Sequence, residues 1–397
     1  MYKSILLSIC CFYAVFALLP DYQFVNDYGE ILPKGTSRPA GLAGPGRYYR
    51  KTDDDVRIGY VAFEVEAIII KNLITNQTFE NNYGSAIYEW SAKGQKYIQI
   101  AANSTNGPAG RSFPCACFDK RTNRIYMFGG TNAPVDINNI SPSNIFRDLW
   151  AYDLDFNSWV LLNQTGNLPG DRASMGCGCP DHKMVIYSGA SFDSFFINGD
   201  FNPNDAYRLN LPATKQNTLS WTQIRPYGNP NFPTGRTQTA SDLIPTTHKV
   251  VFRGGDRFNL TIGFHPITQN DIFTYDLDTD TVDILDNFTS PFKVTQDAVA
   301  ALSPRWVLFQ NGDNQGNLTT NQTCPFPNEC FVPNTPTNFA YLYDLVREKF
   351  IKVPFNGIPP TRRSTLGAYV ETEKNDKFKL LDKYFSDGDI DSNDKVV

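Results

Sequence analysis

Two short cysteine motifs, Cys115-Ala-Cys117 and Cys177-Gly-Cys179, have the residue types and spacing best suited to chemistry. On an extended chain, residues two apart project to the same side. Each motif therefore presents two sulfurs on one face. Two such faces brought together make either two disulfides or a tetrahedral zinc or copper site. An oxidising compartment favours disulfides, and no histidine is expected to add a ligand. Cys324 and Cys330 flank Pro325-Phe-Pro-Asn-Glu329 and are expected to staple that segment locally.

Other chemistry-bearing residues are sparse. The chain has three histidines, His182, His248 and His265. His182 and His248 fall in equivalent turns, where an imidazole is ordinarily just solvated, and His265 stands in a loop before Pro266. The acidic run from Asp387 to Asp394 starts with calcium-loop spacing but lacks glycine at the sixth position. It reads as a solvated tail over residues 381–397. From the sequence no residue is assigned as catalytic, as a metal ligand or as cofactor-binding.

The segments around these residues indicate a secretory route. Lys3 precedes an uncharged apolar run, Ile5 to Leu19, and Val15-Phe16-Ala17 offers small residues at cleavage spacing. A run of this length is short for a membrane span, so residues 1–17 read as a signal peptide, with a signal anchor as the alternative. Asn76, Asn103, Asn139, Asn163, Asn259, Asn287, Asn317 and Asn321 each begin an N-glycosylation sequon. Six cysteines remain once Cys10 and Cys11 leave with the signal, an even number suited to secretion. The net charge of −5 lacks long basic runs. That argues against nucleic acid or an anionic membrane as partner. The expected product is extracellular and does not insert in the membrane after cleavage.

Self-similarity decides the fold. One segment runs Arg111-Ser-Phe-Pro, Arg124 to Gly129-Gly130, Leu149-Trp-Ala-Tyr152-Asp-Leu-Asp and Trp159. The next has Arg172, Met184 to Gly189, Ala206-Tyr207 and Trp221. The third has Arg236, Val250 to Gly254-Gly255, Phe273-Thr-Tyr275-Asp-Leu-Asp and Val282. The fourth has Lys293, Trp306 to Asn311-Gly312, Tyr341-Leu-Tyr343-Asp-Leu and Phe350. From the basic residue to the first glycine-pair position the offsets are 18, 17, 18 and 18. Each unit reads as four strands: one after the basic residue, an apolar run ending at the glycines, one ending in Tyr-Asp-Leu, and one carrying the aromatic anchor. A sheet of that kind cannot bury both faces alone. Stacked radially, neighbouring sheets bury each other.

These segments resemble kelch repeats, with an apolar strand, a glycine pair, a tyrosine and a spaced tryptophan. The resemblance spans roughly residues 47 to 370, is strongest in the middle four units, and implies an all-β kelch-type propeller of about six four-stranded blades. In the first unit, near Arg47, Ile68-Ile-Ile70 takes the apolar-run place but Lys71-Asn72 stands where glycines belong. The sixth, from Arg362, is short. The propeller is placed at residues 47–380. Residues 18–46 are expected to close the ring, since Tyr22-Gln-Phe-Val and Gly29-Glu-Ile-Leu-Pro33 look like outer strands. A chain ending within its last unit is the other explanation.

The resemblance also frames function. Some secreted kelch propellers are copper oxidases similar to galactose oxidase, but that site needs two His and two Tyr near the axis, and three histidines scattered over turns do not supply them. An activity like that of the bacterial sialic-acid epimerase would rest on Arg and Glu, and no pair is marked. The basic series Arg47, Arg111, Arg172, Arg236, Lys293 and Arg362 could draw an anionic ligand. Its alternative is one cation per blade bonding a neighbouring blade's carboxylate or carbonyl. The expectation is a secreted recognition platform for an extracellular protein or glycan, with a carbohydrate-acting enzyme as the alternative.

Overall fold

In the four middle units the apolar run becomes a strand buried on both faces, which explains its lack of alternation. In Arg124–Phe128, Ile125 and Met127 pack to one side and Tyr126 and Phe128 to the other, all with no exposure. The computed structural model describes residues 46–61, 65–66, 82–91, 93–94, 96–102, 104–132, 144–180, 182–228, 232–237, 239–244, 246–259, 265–268, 271–286, 298–301, 303–310, 313–314, 335–336 and 340–352. Outside them lie the expected signal peptide, the expected ring-closing segment before Gly46, the expected sixth unit and the acidic tail. Cys324, Cys330, Asn76, Asn103, Asn139, Asn287, Asn317, Asn321, Lys293 and Arg362 also lie outside.

The described residues contain five four-stranded antiparallel meanders, each in chain order, two of them joined at their outer strands into one eight-stranded sheet, and three two-stranded ladders besides. Blade 1 comprises Gly46–Lys51, Val56–Val61, Ile87–Ser91 and Lys96–Ala101. Blade 2 comprises Cys115–Asp119, Arg124–Phe128, Leu149–Asp153 and Ser158–Gly166. Blade 3 comprises Gly176–Gly178, Lys183–Tyr187, Ala206–Asn210 and Thr218–Arg225. Blade 4 comprises Ala240–Leu243, Lys249–Arg253, Ile272–Asp276 and Thr281–Asp286. Blade 5 comprises Ala298–Ala301, Trp306–Gln310, Ala340–Asp344 and Lys349–Lys352. The first strands of successive blades are neighbours, as a propeller requires. In blade 1 the second strand is Val56–Val61, not a run at Ile68–Ile70, which lies outside the described residues. The chain turns back at once at Thr52–Asp55, where the Thr52 N–H donates to the Asp55 carbonyl at 2.8 Å.

The recurrent Tyr-Asp-Leu has a local cause. Asp153, Asp276 and Asp344 each accept a backbone N–H two residues on, from Asp155 at 3.1 Å, Asp278 at 2.9 Å and Val346 at 3.0 Å. This fold-back of an aspartate onto its own backbone starts the turn into the fourth strand. The same carboxylates take Arg124 at 3.0 Å, Lys249 at 3.4 Å and Arg305 at 2.7 Å, cations at the start of the second strand or just before it.

Within a meander, the connections between strands one and two and between three and four share one end. Those between strands two and three, and from one blade to the next, share the other. The second end carries the long connections.

Candidate interaction surface

The arginine, aspartate and glycine positions that recur at the long-connection end have structural jobs. Arg111 is 1% exposed and pairs through both terminal nitrogens with Asp148, while donating to the Gly129 carbonyl at 3.0 Å. Arg236, wholly buried, repeats this with Asp271 and the Gly254 carbonyl at 3.1 Å. Arg172 reaches Asp205 at 2.7 Å. The side-chain partner is thus the blade's own aspartate, just before its third strand, not a neighbouring blade's. The backbone makes the link between blades: the Gly130 N–H donates to the Arg172 carbonyl at 2.7 Å and the Gly189 N–H to the Arg236 carbonyl at 2.9 Å. The basic series therefore offers no free cation at Arg111 or Arg236 for an anionic ligand. Arg47's side chain is outside the described residues.

Glycine is needed where that link is made. At Gly129, φ is +67° and a Cβ would sit 2.5 Å from the Arg172 carbonyl oxygen; at Gly130, φ is +99° and it would sit 2.8 Å from the Ser112 carbonyl oxygen. Neither position tolerates a side chain without backbone movement. In blade 3, Ser188 takes the first place of the pair, at φ +53°. Its N–H donates to the Asp205 carbonyl at 3.0 Å, just as Gly129 donates to Asp148. Arg172 is correspondingly less well served, with its Nε and the Asp205 Oδ1 lacking partners among the described residues. Burial pushes the Asp205 carboxyl above its ordinary range despite Arg172. Gly254 and Gly255 repeat the blade 2 arrangement at φ +61° and +98°.

The tyrosines and tryptophans pack between blades. Tyr152 donates to the Ile100 carbonyl of blade 1 at 3.3 Å, and Tyr343 to the Leu285 carbonyl of blade 4 at 3.2 Å. Tyr207 and Tyr275 bond within their own blades, to Asp205 at 3.3 Å and to Asp280. Trp159 stands opposite Tyr152 with ring centroids 5.3 Å apart. Trp221 does not occupy the equivalent place. It pairs with Leu209, and Gln223 stands opposite Tyr207, because a longer turn separates the strands of blade 3.

The structure joins Cys115 to Cys177 and Cys117 to Cys179, both with Cα atoms 5.5 Å apart. That lies inside the usual disulfide range. The pairing keeps sequence order, as neighbouring parallel strands do. These cysteines supply the one metal-like cluster among the described residues, Cys115, Cys117 and Cys177. Their sulfurs are in disulfides and present no thiolate.

His182 pairs Nδ1 with Asp119 of blade 2, across the seam, at 3.2 Å, and His248 pairs Nδ1 at 2.7 Å with Asp278, in the turn between the third and fourth strands of its own blade. His265 begins a hairpin strand, His265–Thr268, that also holds Asn259 on its partner strand Asp256–Asn259. A Tyr, Arg and Glu set does converge in blade 1. Glu89 accepts from Tyr48 at 2.8 Å, from Arg50 at 2.8 and 2.6 Å, and from Arg57 at 3.2 Å. Glu89 is fully buried, with Tyr48 lying over Gly59. The network satisfies the carboxylate and braces the blade against Phe118 of blade 2, 6.3 Å from Tyr48.

Of the nine exposed large apolar residues among the described residues, four lie on the long connections of or beside blade 3. Between the second and third strands of blade 3, the helix Phe192–Asn198 carries Phe196, 50% exposed, and Ile197, 79% exposed. Leu168 and Tyr227, on the connections into and out of blade 3, are also exposed. The helix is held from below. Buried Asp171 accepts the Ser191 hydroxyl at 2.8 Å and the N–H groups of Phe192 at 3.1 Å and Asp193 at 2.9 Å. Ser191 caps the helix through the Ser194 N–H at 3.0 Å, and Gly199 ends it in the left-handed conformation. Burial pushes the Asp171 carboxyl up against the pull of those donors. The neighbouring connections are tied in: Asp193 accepts the Asp171 N–H at 3.2 Å, and Asp200 holds Tyr227 and Arg257, each at 3.3 Å. Sequence reasoning missed this helix, although Ser191 and Gly199 are its ordinary start and stop signals. It also missed Asp148, Asp205 and Asp271, which recur one residue before the third strand in blades 2, 3 and 4.

No helix among the described residues is long and apolar enough to cross a membrane. No curated protein matches the chain. The family model described as the KLHDC2/KLHL20/DRC7 Kelch-repeats domain matches residues 78–315, more than half of the chain. With five meander blades, the glycine links between them and that match together, the chain belongs to the Kelch-repeat family, whose propellers generally bind other proteins.

Proposed function

We propose that this chain is a secreted protein-binding propeller that recognises an extracellular protein through the long-connection end of blades 2 to 4. The observation that carries the reading is the helix Phe192–Asn198. Its exposed Phe196 and Ile197 are anchored to the scaffold through Asp171 and Ser191. Large apolar side chains on a rigid base are the usual anchors of a protein interface. A glycan site would instead want free polar groups, and Arg111, Arg172 and Arg236 at this end are each paired with an aspartate of their own blade. Secretion is supported by Lys3, the apolar run after it and the two disulfides.

The test compares wild type with F196S/I197S, both immobilised and exposed to the organism's extracellular fluid, with a glycan array run in parallel. The expected result is a protein partner held by wild type and lost at least tenfold by the variant, with unchanged thermal stability. Undiminished capture by the variant, or strong glycan binding unaffected by it, would overturn the proposal.

A further inference from the structure

Asn163 is exposed on the outermost strand of blade 2, Ser158–Gly166. Leu161, Asn163 and Thr165 point outward while Leu162 points in, and Leu161 is 57% exposed. Among the described residues, Ser158–Leu162 has a ladder partner on one side only, leaving a free edge beside an exposed leucine. From Asn163 onward the other side is taken, because Asn163–Gly166 pairs in parallel with Thr218–Trp221 of blade 3. The Asn163 N–H donates to the Asn217 carbonyl at 2.7 Å, which fixes its backbone at the start of that ladder. Its carboxamide has no partner among the described residues.

We infer that Asn163 carries an N-linked glycan whose first sugars cover Leu161 and the free edge of Ser158–Leu162, keeping this rim from pairing with another sheet. A free strand edge with an exposed apolar residue invites edge-to-edge association, and natural proteins cover such edges. A glycan is bulky and solubilising, and at Asn163 it stands two residues from Leu161 on the same face. The donor is an oligosaccharide on a lipid pyrophosphate. The bond from Asn163 Nδ2 to sugar C1 forms as the C1–O bond to the pyrophosphate breaks, and the amide proton leaves with the lipid pyrophosphate. The inference rests on the proposed secretion.

The experiment uses the full chain expressed through a eukaryotic secretory route. Peptides are mapped after enzymatic deglycosylation in heavy-oxygen water, which marks occupied asparagines. Sedimentation is then compared for wild type, N163Q, N163Q/L161S and enzymatically deglycosylated wild type. Thr165 is left alone because its hydroxyl bonds the Leu219 carbonyl of blade 3 at 3.3 Å, so changing it would disturb the seam as well. Asn163 is expected to be marked. N163Q and the deglycosylated protein are expected to shift from monomer to larger species, with N163Q/L161S returning toward monomer. An unmarked Asn163 beside other marked sequons overturns the inference alone, as do unchanged sedimentation profiles for N163Q and the deglycosylated protein. If no sequon is marked and the chain stays with the cells, the secretion reading fails and this inference with it.

Discussion

The seam between blades 2 and 3 and the seam between blades 3 and 4 solve the same packing problem differently. Both use the backbone link from a glycine N–H to the next blade's arginine carbonyl. At the inner edge, the first seam has two disulfides, whereas the second has the Ser241 hydroxyl, which accepts the Cys177 N–H at 3.0 Å and donates to the Cys177 carbonyl at 2.7 Å. At the middle, Phe128 meets Trp221 edge-on at 4.9 Å in one, and Tyr187 meets Phe232, Phe252 and Phe273 in the other. At the rim, the first seam adds the parallel ladder of Asn163–Gly166 with Thr218–Trp221, and Arg208 with Asp280 spans the second. The glycine–arginine link is the shared minimum. Covalent bonds and a rim ladder are additions that fasten blades 2 and 3 into one unit.

The largest way to break this comparison is to cut the covalent links. Both disulfides enclose the same stretch, each with a sequence separation of 62. Their loop-closure effects therefore do not add, since one bond already closes the loop. Replacing all four cysteines by serine should cost about 4 kcal/mol, the chain-entropy value for a loop of that length. Replacing only Cys115 and Cys177 should cost far less than half of that. Urea unfolding of the three proteins measures this. Equal losses from the single-pair and four-cysteine variants would show that strain or packing, not loop closure, governs the seam.

Much of this was legible before any coordinates. The strand order, the glycine pair and the Tyr-Asp-Leu turn follow from residues repeating at fixed offsets, because each blade buries the same faces. Arg111 and Arg236 were visible as a recurring cation, but not the choice of partner. That choice depends on an aspartate 37 or 35 residues away, across a connection of variable length. Where the repeat departs from pattern, as at Ile68–Ile70 and Trp221, offset arithmetic failed. Turn length, not residue type, sets which residue stands opposite the tyrosine. The blade 3 helix is seven residues inside a connection. It has no counterpart among the described residues of the other blades, so no repeat signal could reveal it.

A smaller effect is expected at the aromatic seam. Tyr187 is buried and donates toward the Pro233 and Thr234 carbonyls, at 3.0 Å to the first. Tyr187→Phe keeps the ring contacts and removes the hydroxyl, leaving those carbonyls short of a donor. The cost should be about 1 to 3 kcal/mol, the range for a buried polar group deprived of its partner. Read by urea midpoint, a neutral result would mean that Tyr187 serves this seam through its ring contacts and not through its hydroxyl.

The smallest effect sharpens the comparison at the end of the seam opposite the long connections. There Lys215 of blade 3 reaches Asp153 and Asp155 of blade 2, each at 2.7 Å, and sits 4.7 Å from the Phe156 ring. Burial pushes the Asp153 carboxyl up, but the bonds from Lys215, Arg124 and the Asp155 N–H outweigh it and hold it below its ordinary value. A carboxyl depressed in the folded state contributes stability that is present above its unfolded pKa of about 3.9 and is lost as pH falls through the folded value. Lys215→Met keeps a side chain over Phe156 and removes the charge, so the Asp153 carboxyl rises toward its unfolded value and contributes less stability above it. Urea midpoints followed from pH 7 to pH 3 should differ most near neutrality, where the pairing is complete, with the variant the lower. Below about pH 5 the wild type should lose more than the variant and the two should converge, since only the wild-type carboxyl titrates well below the unfolded value. High salt should shrink the neutral offset, because Lys215 is near the surface and its attraction is screened. Parallel acid limbs would show that Arg124 and the turn N–H alone hold Asp153 ionised, and that the lysine adds nothing to the fastening of blades 2 and 3.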